Sequence, residues 1–268
     1  MAHGFGGTQQ GSIALSATDF ASAGFDVLTF DYRGFGESGG EPRQAPSIRG
    51  QHADWRAAIA RARAIPGVRA ERIVLWGSYF SGGHVLDIAS RDTTIAAVIA
   101  QAPFNGFPKR VEGRTGQETR ALLFAALRDW WAAHWGYRRF YLKAVGAPGE
   151  GAVMATREAA LAVARMKNET WQNWVAPGVL IDMALWYRPG KRARHLQMPV
   201  LICLAQHDKV SPGALTSPIA ARALRGELSR YPCDHFDLYS DPVRASVVQD
   251  QVRFLRRHLT EPEADASR

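Results

Sequence analysis

Through the first hundred residues, short apolar runs alternate with helix-forming stretches, and this alternation limits the chain to few architectures. Phe25-Asp-Val-Leu-Thr-Phe30, Arg72-Ile-Val-Leu-Trp76 and Ile95-Ala-Ala-Val-Ile-Ala100 each read as a strand. Between the first two, Ile48, His52, Trp55, Ile59 and Ala62 fall on one helical face, and Ser81 to Ser90 reads as a second helix. Strands separated by helices pair in parallel, with helices covering both faces of the sheet. The expected class is α/β, mainly a parallel sheet flanked by helices.

The pattern changes between about residues 105 and 194. Here the reading is helical throughout, broken at Pro148-Gly149, Pro177-Gly178 and Pro189-Gly190. Thr115-Gly-Gln-Glu118 ahead of an apolar run is a capping-box signature. Six of the eight tryptophans lie in this stretch: Trp130, Trp131, Trp135, Trp171, Trp174 and Trp186. It is expected to be a helical cap inserted into the α/β core, with most of the aromatic load forming the cap's own interior. The α/β pattern resumes with a strand at Pro199–Leu204, a helix over Ala214–Leu224, a last strand at Glu227–Tyr231 and a final helix capped by Asp241 with Pro242 at its first position. The domain division is thus 1–104 plus 195–260 for the core, 105–194 for the cap and 261–268 for a frayed tail.

With 46% apolar residues in 268, the chain can bury a large core. It has no apolar stretch long enough to span a bilayer and no basic region followed by an apolar run at its start, so a cytoplasmic protein without a membrane partner is expected. The net charge of +8 is scattered, and no basic face with a reading element points to nucleic acid. Cys203 and Cys233 fit neither a disulfide framework nor a metal pattern; both are expected to be buried small hydrophobes, and no metal or cofactor is expected.

Five segments carry chemistry. His3-Gly-Phe-Gly-Gly7 is a glycine-rich loop without the Lys-Ser/Thr of a nucleotide cradle. Asp31-Tyr-Arg-Gly-Phe-Gly-Glu-Ser38 follows the first strand. Leu75-Trp-Gly-Ser-Tyr-Phe-Ser-Gly-Gly83 runs from strand through tight turn to helix. Gln206-His-Asp-Lys-Val-Ser-Pro212 and Asp234-His-Phe-Asp-Leu-Tyr239 supply an acid and a base. In this order the segments resemble those of the α/β-hydrolase family, over nearly the whole chain, in a subgroup of bacterial esterase-like and polyketide-transferase-like members.

The strand–turn–helix segment needs a strained tip residue and small neighbours two positions to either side. Gly77 and Ser81 meet that need if the tip is Tyr79. Ser81 as tip would put Tyr79 in one of those positions; Ser78 as tip would put Trp76 and Phe80 there, both too large. Tyr79 is the favoured tip and Ser81 the alternative. A phenol in the place of a serine hydroxyl overshoots the base and fills the space of a scissile carbonyl, so catalysis there is expected to be compromised.

The resemblance implies roles for the remaining residues. His235 would be the general base and Asp208 the acid that orients it, Asp237 lying too close in sequence to be preferred. The backbone N–H groups of Phe5 and Phe80 would form an oxyanion hole. The implied activity is hydrolysis of an ester or thioester of a small apolar molecule, with acyl or polyketide transfer, or ligand binding without catalysis, as the alternatives. His52 and His84 are expected to be structural. The resemblance also implies a central strand leading into the His3–Gly7 loop and two earlier ones. Their absence from this sequence gives the expectation of a start placed too far downstream, and of unpaired strand edges on either side.

Overall fold

Four strands build the main sheet. In the computed structural model, which describes residues 1–108, 114–166 and 168–259, the elements run in the order α1 (Gln9–Ser12), α2 (Ala14–Ser22), α3 (Ile48–Arg63), β1 (Val74–Ser78), α4 (Phe80–Ala89), β2 (Ala97–Gln101), α5 (Gly116–His134), β3 (Val145–Gly146), β4 (Met154–Ala155), α6 (Arg157–Met166), α7 (Val179–Leu185), β5 (Pro199–Ala205), α8 (Gly213–Arg222), β6 (Arg225–Tyr231) and α9 (Val243–Leu259). Strands β1, β2, β5 and β6 pair in that order, all parallel.

Every residue of β2 and β5 is buried, as a parallel sheet covered on both faces requires. Side chains alternate between two cores. Leu75, Val98, Ala100, Val200 and Ile202 pack with Trp55, Leu86 and Ile219 on one side. Trp76, Ile99, Leu201 and Cys203 pack with Phe20, Val248 and Phe254 on the other. Cys203 and Cys233 are buried free thiols, and burial raises them to about 12 and about 11. The Thr115 capping box forms as its spacing implies. The residues of the expected tail, 261–268, lie outside those described.

Three expectations need correction. Phe25–Phe30 forms no ladder strand: only Phe30 bridges a neighbour. That neighbour is Ala2, which bridges Phe30 on one side and Gly77 on the other, both in parallel. Among the described residues the rest of 25–30 joins no ladder. Residues 105–194 are not helical throughout, because β3 and β4 pair as a two-stranded parallel sheet. Nor do most tryptophans fill that region's interior. Trp130, Trp131, Trp135, Trp174 and Trp186 are exposed. On α5 the inward positions are Ala125, Ala126, Asp129 and Ala132, which leaves the larger side chains facing out.

The region 105–194 packs onto the end of the sheet where β1 enters α4. Val145, Val179, Met183 and Tyr187 join Tyr79, Phe80 and Phe104 in a third core.

Candidate active site

The tight turn arises because β1 stops at Ser78 and α4 starts at Phe80, leaving one residue to reverse the chain. That residue is Tyr79, with φ 50° and ψ −106°. A left-handed backbone at a bulky residue is rare and persists only when its surroundings hold it. Here the Tyr79 N–H donates to Gln101 O (2.9 Å), and its carbonyl accepts from Gly83 (3.1 Å) and Phe104 (2.8 Å). The turn is so close that a Cβ at Gly77 would lie 2.4 Å from Ser81 O, so only glycine fits there.

Tyr79 therefore occupies the tip. Ser81 does not: it is fully buried within α4. Its hydroxyl donates to His3 O at 2.6 Å and takes a short hydrogen bond from the Tyr32 hydroxyl, which in turn accepts from Trp55 Nε1 at 2.7 Å. Ser78 is also buried, with its hydroxyl 2.6 Å from that of Tyr239.

The Tyr79 ring sits edge-on between Phe104 and His235, its centroid 5.3 Å from the imidazole. Among the described residues nothing hydrogen-bonds to its hydroxyl. Burial first, then the charges of Asp208 and Tyr239, raise its pKa, so the phenol stays protonated and a poor nucleophile.

His235 opens a 3-10 turn, His235–Tyr239, that follows β6, and it is buried. Its Nδ1 lies 2.7 Å from Asp208 Oδ2. The other carboxylate oxygen of Asp208 accepts from the backbone N–H groups of Val210 (2.8 Å) and Ser211 (2.6 Å), which fix its direction after β5. An acceptor so held places the proton on Nδ1 and leaves Nε2 as the basic nitrogen. Asp237 is engaged elsewhere, accepting from the Asp234 N–H in a capping box.

The His3–Gly7 loop reaches the turn from the N-terminal side. A Cβ at Gly4 would be 3.2 Å from Tyr79 Cβ, so the loop lies close against the tip. Neither the Phe5 nor the Phe80 N–H donates to any acceptor among the described residues. The loop is held from below by the Ser81 bond and from above by Trp171 Nε1, which donates to Gly6 O at 2.9 Å. Asp31 secures the adjoining segment by accepting from the Gln9 N–H (2.7 Å) and the Glu37 N–H (3.2 Å). A cavity of about 70 Å³ remains, lined by Phe5, Tyr79, Met154, Trp171, His235 and Phe236, among others.

The structure thus gathers Tyr79, Asp208, His235, Phe5 and Phe80 at one place. Sequence reading did not single out Tyr32 and Trp55, whose hydrogen bonds fix Ser81 and the loop. It also missed Glu158, which accepts from the Phe236 N–H at 3.4 Å and is raised by its own burial. His52 and His84 lie beneath the site in a buried network. His84 Nδ1 is 2.6 Å from the Tyr187 hydroxyl and 3.0 Å from His52 Nε2, and its Nε2 is 2.8 Å from Gln51 Oε1.

Known proteins share this arrangement of chain. The quorum-quenching protein AidA of Acinetobacter baumannii (strain MDR-ZJ06) is 35% identical over 260 residues, 96% of this chain and 85% of that protein. Thiohydrolase apmlB of Arthrinium phaeospermum is 27% identical over 259 residues, 91% of this chain and 83% of its own length. The crystal structure of the alpha/beta hydrolase GrgF from Penicillium sp. sh18 superposes with a TM-score of 0.79 at 24% identity, covering 96% of this chain and 88% of that one. A protein from Penicillium sp. named polyketide transferase grgF is 34% identical over 113 residues, 41% of this chain. Residues 1–232 match the serine aminopeptidase, S33 family, and the chain belongs to that family of α/β-hydrolase-fold proteins.

Proposed function

We propose that this chain carries an ester- or thioester-hydrolase site for small apolar acyl substrates in which Asp208 and His235 form a working acid–base pair and Tyr79 blocks the nucleophile's place. The observation that carries this reading is the Tyr79 tip, a buried protonated phenol standing edge-on to His235 where a short hydroxyl would have to meet Nε2.

The chemistry follows from the geometry. With a serine at position 79, its hydroxyl would give its proton to His235 Nε2 while its oxygen attacks the acyl carbon. Asp208 would stabilise the imidazolium through the Nδ1–H bond. The free N–H groups of Phe5 and Phe80 would receive the negative oxygen; one such donor is worth about 10²- to 10³-fold in rate. His235 would then protonate the leaving alcohol or thiol, and afterwards take a proton from a water that attacks the acyl carbon, releasing the acid as the serine oxygen regains its proton. Tyrosine places its oxygen several ångströms farther out, and its ring takes volume from a cavity of only about 70 Å³. The 105–194 region, which contributes Met154 and Trp171 to the lining, acts as the cap and sets an apolar preference.

The test is hydrolysis of short-chain p-nitrophenyl esters and acyl thioesters by the native protein and by Tyr79→Ser. Near-background turnover by the native chain and a gain on substitution support the reading. Normal native turnover that is lost on Ser81→Ala would sink it. If both forms stay inactive while apolar acyl ligands still bind, the site is a binding site only. Acyl transfer is the second reading, favoured by the similarity to polyketide transferase grgF; it uses the same groups and differs in the acceptor, so adding an alcohol or amine acceptor to the Tyr79→Ser assay separates the two.

A further inference from the structure

Helix α5 is built inside out. Its inward stripe is small or paired: Ala125, Ala126 and Ala132, with Asp129 held by Arg139. Its outward stripe is large and apolar. Leu123, Leu127 and Trp130 face solvent, and Phe124, Trp131 and Trp135 are exposed by 71%, 54% and 64%. These positions recur at three- and four-residue intervals, so they form one row about 18 Å long on the side opposite the core. The row continues onto α7, because the indoles of Trp130 and Trp186 donate to the same oxygen of Asp182, at 3.2 and 3.1 Å. Contiguous exposed apolar surface of this kind marks a contact with something outside the chain.

Charge decides what that something is. Arg120 and Arg128 are exposed along the same row, and Arg138 is exposed just past the C-terminal end of the helix. Among the described residues no carboxylate lies within ion-pair distance of any of them; Arg128 instead sits over the Phe140 ring at 4.6 Å. A second copy laid face to face would set guanidinium groups against one another, and the nearby carboxylates are already engaged, Glu118 by Thr115 and Asp182 by the two indoles. An anionic lipid surface meets both demands at once. Indole and phenyl groups settle at the headgroup level, and arginines reach lipid phosphates. The net charge of +8 adds long-range attraction.

We propose that the outer face of α5 docks the protein on an anionic phospholipid membrane. No described helix is long and apolar enough to cross a membrane, and this mode of binding needs none: the helix lies in the interface plane. The expectation of no membrane partner rested on spanning stretches alone.

Flotation of the full chain with vesicles of equal parts phosphatidylglycerol and phosphatidylcholine, and with pure phosphatidylcholine, tests this. The protein is expected to float with the anionic vesicles and to stay behind with the neutral ones. Phe124→Ser/Trp131→Ser should weaken binding about tenfold or more, and Arg120→Gln/Arg128→Gln/Arg138→Gln should weaken it by a similar factor. Both variants change only exposed side chains and should keep the native circular dichroism. A measurement on the unaltered protein stands beside them: lipids brominated on the acyl chains should quench tryptophan fluorescence. Failure to bind, equal binding to neutral vesicles, or binding that ignores the Phe124/Trp131 change would each overturn the proposal. So would a concentration-dependent dimer, dissolved by the same variants, in a protein that leaves vesicles alone.

Discussion

The hollow between residues 25–30 and β1 measures about 460 Å³ and the cavity at Tyr79 about 70 Å³, yet only the smaller one gathers groups able to act on a substrate. The larger is walled by Trp55, Ile59, Leu75 and Leu255. The ionisable side chains among its lining residues are Asp26, Arg69, Arg72 and Arg256, with no histidine among them. The smaller has a histidine aligned by a carboxylate and two free backbone N–H groups beside it. Volume alone does not mark a site. Convergence of polar groups records where chemistry is possible.

The sharpest way to break this contrast is at the small cavity. Tyr79→Ser should raise ester hydrolysis by about 10⁴-fold or more, and His235→Ala in that background should remove most of the gain. A steady-state assay with a p-nitrophenyl ester reads both, and an unchanged rate would strip the small cavity of its advantage. Next comes packing. Gly77→Ala forces a methyl group against Ser81 O and should destabilise the fold by about 3 kcal/mol, measured by urea unfolding. At the large hollow the same kind of enlargement should have the opposite sign. Ala62→Leu, on its wall, should stabilise by about 1 kcal/mol; a loss of that size would mean the hollow is already filled.

The smallest effect is a slope against pH. Burial lowers His52 to about 4 in the folded chain, against 6.5 for a free histidine. Between those values the unfolded chain binds the extra proton more readily, so stability rises with pH across that window and falls as acid is added. His52→Gln should reduce the slope in urea unfolding series from pH 4 to 7, the remainder coming from His3 and His84, which burial also lowers. It should leave the neutral-pH value nearly alone, since the network with His84 and Tyr187 lies under the compact corner and not beside the hollow.

Much of this was legible in the residues. The parallel sheet followed from Arg72–Trp76, Ile95–Ala100 and Pro199–Leu204, because runs buried on both faces leave a continuous apolar signal. The tip at Tyr79 followed from steric demand on Gly77 and Ser81. What escaped was whatever depended on neighbours distant in sequence. Phe25–Phe30 has strand composition, but a ladder needs a partner, and Ala2 offers one bridge. The indole of Trp55 bonding to Tyr32, and Tyr32 to Ser81, crosses gaps of 23 and 49 residues that no local spacing encodes. The tryptophans of α5 look like core material by type. Only the packing of Ala125, Ala126 and Ala132 onto the body of the protein reveals that the helix turns them outward.

Ser81 carries one proton, and the His3 carbonyl holds it. A fluorophosphonate, which tags serine hydrolases by capturing a hydroxyl that has a basic nitrogen beside it, should therefore pass this residue by even at high dose. In a proteome labelled that way the protein would be silent, and a survey relying on such reagents would not count it among its relatives.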